Sequence, residues 1–185
     1  VMPPTTAHLP VSHKLPMEAA ILITPEIEQQ VIRKHPATLA GGLYHHGFPM
    51  GHTLRDASLS IFSQLFQQAT VVQSRDVAQI YPIYLEPSVQ DFAYWMGIHW
   101  LWNAYYSQVT LRVVAWSGTA SVWEVTRECK PQRVDADGWH NRFVWDWGMH
   151  ARMGESASKA VSACLQEIAE SMAGVAALQQ IGAAR

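Results

Sequence analysis

The sequence predicts an α+β fold, a mixed β-sheet holding one βαβ unit with two main helices packed on one face. Three observations predict it. A short apolar run at residues 19–24 is stopped by Pro25, as in a strand buried on both faces. Leu54, Ala57, Ile61 and Leu65, flanked by Phe62, Phe66 and Ala69, recur at helical spacing ahead of a second apolar run at residues 70–73. The remainder is rich in strand-forming residues until one amphipathic stretch closes the chain. A length of 185 residues suits one domain with a core that needs no staple.

The elements follow in order. Residues 1–16 contain Pro3, Pro4, Pro10 and Pro16 and read as an extended leader or tether; residues 17–185 form the single α/β domain. After the strand at 19–24, residues 26–34 are polar and suit a short helix or an extended excursion. Gly41, Gly42, Gly47, Pro49 and Gly51 then mark a loop holding His45, His46 and His52. Thr53 and Asp56 resemble a capping box, so the first long helix is expected to start at Thr53. The strand at 70–73 should lie parallel to that at 19–24, completing the crossover unit.

Strand-like segments follow at 79–85, 89–96, 105–116 and 119–128. Ser117-Gly118 is a turn signal, so the last two should form a hairpin. Asp137-Gly138 marks another turn before a short strand at 142–147. The last helix is expected over residues 156–172, with Ala157, Val161, Cys164, Leu165, Ile168 and Met172 as its buried stripe, ending at Gly174 or extended by residues 175–181.

Composition narrows the function. Charged residues are only 15% of the chain, against a usual share of about 25%. The net charge of -2 offers no basic field for nucleic acid. No apolar run reaches the roughly 18 residues of a membrane-spanning helix. Cys129 and Cys164 lack metal-ligand spacing and fit either one disulfide or two buried thiols. The first residue is Val1, and a signal peptide or lipid-bearing Cys is expected to have preceded it.

The catalytic motifs are missing: there is no GxSxG, Walker A loop, GxGxxG or HExxH. The expectation is a non-enzymatic protein without a cofactor. Convergence of His45, His46 and His52 on zinc or copper is the alternative, against unconnected rings in a polar loop. Asp135, Asp137 and Gly138 begin like a calcium loop, but its later Gly and Glu positions hold His140 and Asp146, so the segment reads as a turn.

Aromatic residues crowd one stretch: Phe92, Tyr94, Trp95, Trp100, Trp102, Tyr105 and Tyr106. Such rings suit sugar faces, partner surfaces and membrane interfaces, whereas half of any strand's side chains point inward. The expected partner- or polymer-binding residues are Trp95, Trp100, Trp102 and Tyr105, because Gly97 and Asn103 imply a bend where large rings resist burial.

The order of elements carries a resemblance. A Pro-rich leader runs into a buried strand, then Pro49-Met50-Gly51-His52-Thr53-Leu54-Arg55-Asp56-Ala57, then Ile61-Phe62-Ser63-Gln64-Leu65-Phe66-Gln67-Gln68-Ala69-Thr70-Val71-Val72, a Ser-Gly hairpin and a C-terminal amphipathic helix. Over about residues 17–173 this resembles small outer-membrane lipoproteins of Gram-negative bacteria, of the PelC, CsgG and TolB N-terminal-domain type, with an LptE-like role as a related idea. The resemblance implies a periplasmic assembly or export factor, tethered to the outer membrane by a lipid anchor absent from this chain. Its implied partners are outer-membrane or periplasmic assembly proteins, polysaccharide, or further copies of itself. It transfers no catalytic residue.

Overall fold

A computed structural model describes residues 14–35, 45–98, 103–135 and 147–183. Strand β1 (Leu15–Leu22) is followed by helix α1 (Pro25–Glu28) and the short strands β2 (Ile32–Lys34) and β3 (His46–Phe48), which pair with each other. Helix α2 (Met50–Leu65) leads into β4 (Phe66–Val72), and helix α3 (Arg75–Ala78) into the long strand β5 (Ile83–Ile98). Strands β6 (Asn103–Ser117), β7 (Ala120–Glu128) and β8 (Gln132–Asp135) come next, then helices α4 (Trp147–Ala173) and α5 (Ala176–Ala183). The main sheet runs β4-β1-β5-β6-β7, with β8 also pairing β6. β1 is parallel to β4 and β5; the other pairs are antiparallel. The α+β class, the crossover unit and the two main helices on one face are as the sequence predicts.

The inner face of the sheet lies under α2 and α4. Ala19, Ile21, Leu85, Phe92, Leu111 and Val113 meet Leu54, Phe62, Leu165 and Ile168 in one buried cluster. Strand periodicity puts alternate residues on that face, and helical periodicity gives each helix one stripe to cover it. The disulfide Cys129–Cys164 joins the residue after β7 to the middle of α4. Beside it, Arg127 donates to the Glu167 carbonyl at 3.2 Å. On the outer face, among the described residues, a small second cluster forms, where Ala78 at the end of α3 covers Ala20, Leu22, Val72 and Tyr84.

Several local expectations are corrected. α2 starts at Met50, not Thr53; its N-cap is Pro49, without a side-chain cap, and Thr53 Oγ1 instead donates back to the Pro49 carbonyl at 3.2 Å. The earlier start rests on Gly51, whose amide donates to the Gln30 carbonyl at 3.1 Å. A Cβ at Gly51 would overlap the carbonyls of Ile27 and Glu28, so only glycine lets α1 approach this closely. Segments 79–85 and 89–96 are not two strands: residues 83–98 form one strand with an irregularity between Val89 and Asp91, and α3 ends just ahead of it. The first strand begins at Leu15, so Pro16 lies in the sheet. The final helix begins at Trp147, nine residues before the expected Ser156, and that residue is helical rather than the end of a strand. The Asp137-Gly138 turn and the rest of the 142–147 segment lie outside the described residues. The Ser117-Gly118 hairpin forms as expected, with Gly118 at φ 58°.

Candidate binding face

The period of two in β5 and β6 divides the aromatic stretch between two environments. Phe92, Tyr94 and Tyr105 point inward and are buried. Tyr94 and Phe92 contact Phe48, and the Tyr94 hydroxyl donates to the Lys34 carbonyl at 3.2 Å. Burial raises the Tyr94 phenol far above its ordinary value and Tyr105 in the same direction, so both stay neutral. Of the expected binding residues, Tyr105 is therefore placed in the core. Trp100 and Trp102 lie outside the described residues. Trp95 is half-buried on the outer face.

There Trp95 sits opposite Tyr106 in the β5–β6 register, the rings stacked at 5.6 Å between centroids and 5° between planes. Tyr106 in turn sits opposite Arg133 of β8, whose guanidinium carbon lies 6.0 Å from the Tyr106 ring centroid. Arg133 is ion-paired with Asp135, which raises the guanidinium's affinity for its proton. The result is a cross-strand row of two aromatic rings and one arginine, polar at its rim and presented by paired strands.

A second row of the same composition stands near the other end of β5–β6. Tyr84 and Trp116 are register partners stacked at 6.2 Å, and Arg75 lies 5.6 Å from the Trp116 ring centroid. Glu86 ties this row together, accepting from Arg75 at 2.9 Å and from Trp116 Nε1 at 3.1 Å. Here α3 covers Tyr84, which is buried. Between the rows, Arg112 donates to Glu124 at 2.8 Å and Gln108 to Glu128 at 2.8 Å. Strands rise about 3.3 Å per residue, so ten residues from Tyr106 to Trp116 set the rows roughly 30 Å apart.

Sequence reasoning placed Tyr106 in the aromatic band without choosing it as a site residue, and missed Arg133. Nothing local to residues 132–135 tells that they will pair beside Tyr106. It also missed a groove of about 500 Å³ lined by Met17, Val77, Ile80, Tyr81, Pro82 and Ile181. Ile80 is 77% exposed there and Val77 45%. The available signal was two branched apolar residues in a segment otherwise polar.

The three loop histidines do not converge. His52 lies on α2, with Nδ1 4.0 Å from Glu28, while the His45 ring lies 3.7 Å from that of His35. His46 contacts Tyr94 and His150 instead, at 5.8 and 5.1 Å between centroids. Among the described residues, no three of His, Cys, Asp and Glu are grouped to hold a metal ion.

No protein-family model matches the chain, and no curated protein does. Among the solved structures that match are two. One is a neuraminyllactose-binding hemagglutinin homolog from Helicobacter pylori, with a TM-score of 0.50 at 8% identity over 96% of this chain and 98% of that one. The other is a DUF330 family protein from Xanthomonas campestris, with a TM-score of 0.47 at 10% identity over 85% of each chain. At such identities the first likeness bears on fold alone, and the second falls below the level at which it supports an argument.

Proposed function

We propose that this chain is a non-enzymatic envelope protein, periplasmic and associated with the outer membrane through a lipid anchor outside this chain, that binds assembly partners or polymer during export. The open Trp95–Tyr106–Arg133 row carries the reading. Stacked rings beside a guanidinium offer flat apolar area and a charged donor together, a combination suited to the ring faces and acidic groups of envelope glycans. The disulfide supports the compartment, since such bonds persist in oxidising spaces and are rare in the cytosol of mesophiles. Among the described residues no helix is long and apolar enough to cross a membrane.

The test has two arms. In a Gram-negative host, the protein expressed from its full-length gene is fractionated and its thiols are trapped with an alkylating agent. Recovery with the outer membrane and an oxidised Cys129–Cys164 pair is expected; cytosolic protein with free thiols sinks the localisation. Purified chain is then titrated with acidic and neutral envelope polysaccharides, and with sialyllactose because of what the Helicobacter pylori protein is described as binding. Trp95→Ala with Tyr106→Ala should weaken binding at least about tenfold while the fold persists, as expected for a hot-spot pair. Equal binding by wild type and variant removes this face from the proposal.

A further inference from the structure

The seam between β3 and α4 carries a second chemistry. His46 on β3 and His150 in the first turn of α4 bring their rings to 5.1 Å between centroids with 54° between planes. Both rings line a cavity of about 150 Å³, together with His45, Phe48 and Met153. His150 and Met153 are three residues apart on α4 and so share one helical face. Met153 is buried, His46 half-buried and His150 exposed, so the cavity opens to solvent at its imidazole end.

We infer that His46, His150 and Met153 form a binding site for a soft monovalent cation of the copper(I) class. Three facts select that class. Imidazole nitrogen bonds a transition metal at about 2.0–2.1 Å, which puts two rings sharing one ion roughly 5–5.5 Å apart at trigonal to tetrahedral angles. The His46–His150 centroid separation of 5.1 Å falls in that range. The third group is a thioether, a donor that selects soft cations, and among the described residues no carboxylate lines the cavity. Finally, structural zinc takes four ligands from Cys, His and carboxylates, and no such group exists among the described residues. A low-coordinate soft ion needs only the donors present. The site differs from the three-histidine loop that the sequence offered, because His52 sits against Glu28.

This inference is independent of the envelope proposal and is tested on the isolated, tag-free full chain. Copper(I) is supplied anaerobically from a chromogenic chelate, with silver(I) as a redox-inert analogue and zinc(II) as comparator. One copper(I) per chain is expected, held at least about tenfold more tightly than zinc. X-ray absorption should show one sulfur and two imidazole scatterers. His46→Ala and Met153→Leu should each weaken binding at least about tenfold, and Met153→Leu should erase the sulfur scatterer; His52→Ala should change nothing. If Met153→Leu proves unfolded by circular dichroism, the exposed His150→Gln carries the same test. Absence of stoichiometric binding, binding retained in the His46 and His150 variants, or an equal loss in His52→Ala overturns the assignment.

Discussion

On the helix side of β5 and β6, Phe92, Tyr94 and Tyr105 are shut beneath other side chains, with 1–6% of their surface left exposed. One residue further along each strand, Trp95 and Tyr106 stack on the outer face, half-buried beside Arg133. The side chains are of the same chemical kind, yet the sheet assigns them opposite duties. The lesson is that aromatic density in a sequence cannot be read as a patch: a strand divides it in two, and only the share facing away from the helices is available to a partner. Polar groups divide differently. The outer face carries ion pairs such as Arg112–Glu124, whereas the inner face holds uncharged hydroxyl contacts, Ser107 with Ser156 at 2.7 Å and Tyr94 with the Lys34 carbonyl.

Truncation on each face gives the widest contrast. Phe92→Ala removes a ring that is 1% exposed from the main cluster and should cost about 3–5 kcal/mol in urea unfolding. Trp95→Ala gives up mainly the stack with Tyr106 and should cost about 1 kcal/mol. Equal costs would mean that the outer row is core. The next effect belongs to the link between inner face and helix. Replacing Cys129 and Cys164 by Ala opens a separation of 35 residues and should cost about 2–4 kcal/mol, read as a lowered urea midpoint with a steeper slope, because the uncrosslinked chain exposes more surface on unfolding. Ser107→Ala breaks the buried hydroxyl pair, but Ser156 keeps its bond to the Met153 carbonyl at 3.0 Å, so about 1 kcal/mol is expected. The smallest effect lies outside. Glu124→Gln weakens an exposed pair and should leave the unfolding midpoint unchanged within error at moderate salt. A clear loss there would show that the outer face contributes to folding as well as to recognition.

The parts legible in the sequence were those governed by short-range periodicity. The stripes of α2 and α4, the crossover from β1 to β4 and the hairpin at Gly118 each follow from spacing or from one turn residue. The parts missed depend on contacts between distant segments. The start of α2 is set by the passage of α1 over Gly51, which overrides the Thr53–Asp56 signal. Likewise, the strand from Ile83 to Ile98 stays continuous despite Pro87, because its inner residues remain paired along β6 on either side of the irregularity. For the binding face, Trp95 was legible as a large ring in a strand, while the inward direction of Tyr105 needed the register. Arg133 needed the pairing of β8. His46 and His150 are more than a hundred residues apart in sequence and meet only because α4 begins nine residues earlier than its apolar stripe indicated.

The length of β5 has a consequence for exchange with solvent. Ile83 to Leu85 pair with β1, and Tyr84 and Leu85 are also flanked by β6 on the other side. From Glu86 onward β6 is its only ladder partner among the described residues, with the β2–β3 pair standing by and touching it through Lys34, which donates to Asp91 and accepts from Tyr94. A single strand is thus interior at its start and an edge along most of its length. Amide protons directed at β6 are held throughout, while their alternate neighbours past Leu85 have no ladder acceptor among the described residues. In deuterated buffer the strand should therefore label as a comb, every second amide fast beyond Leu85, and a ligand that bridges that edge would be read directly as the teeth that slow down.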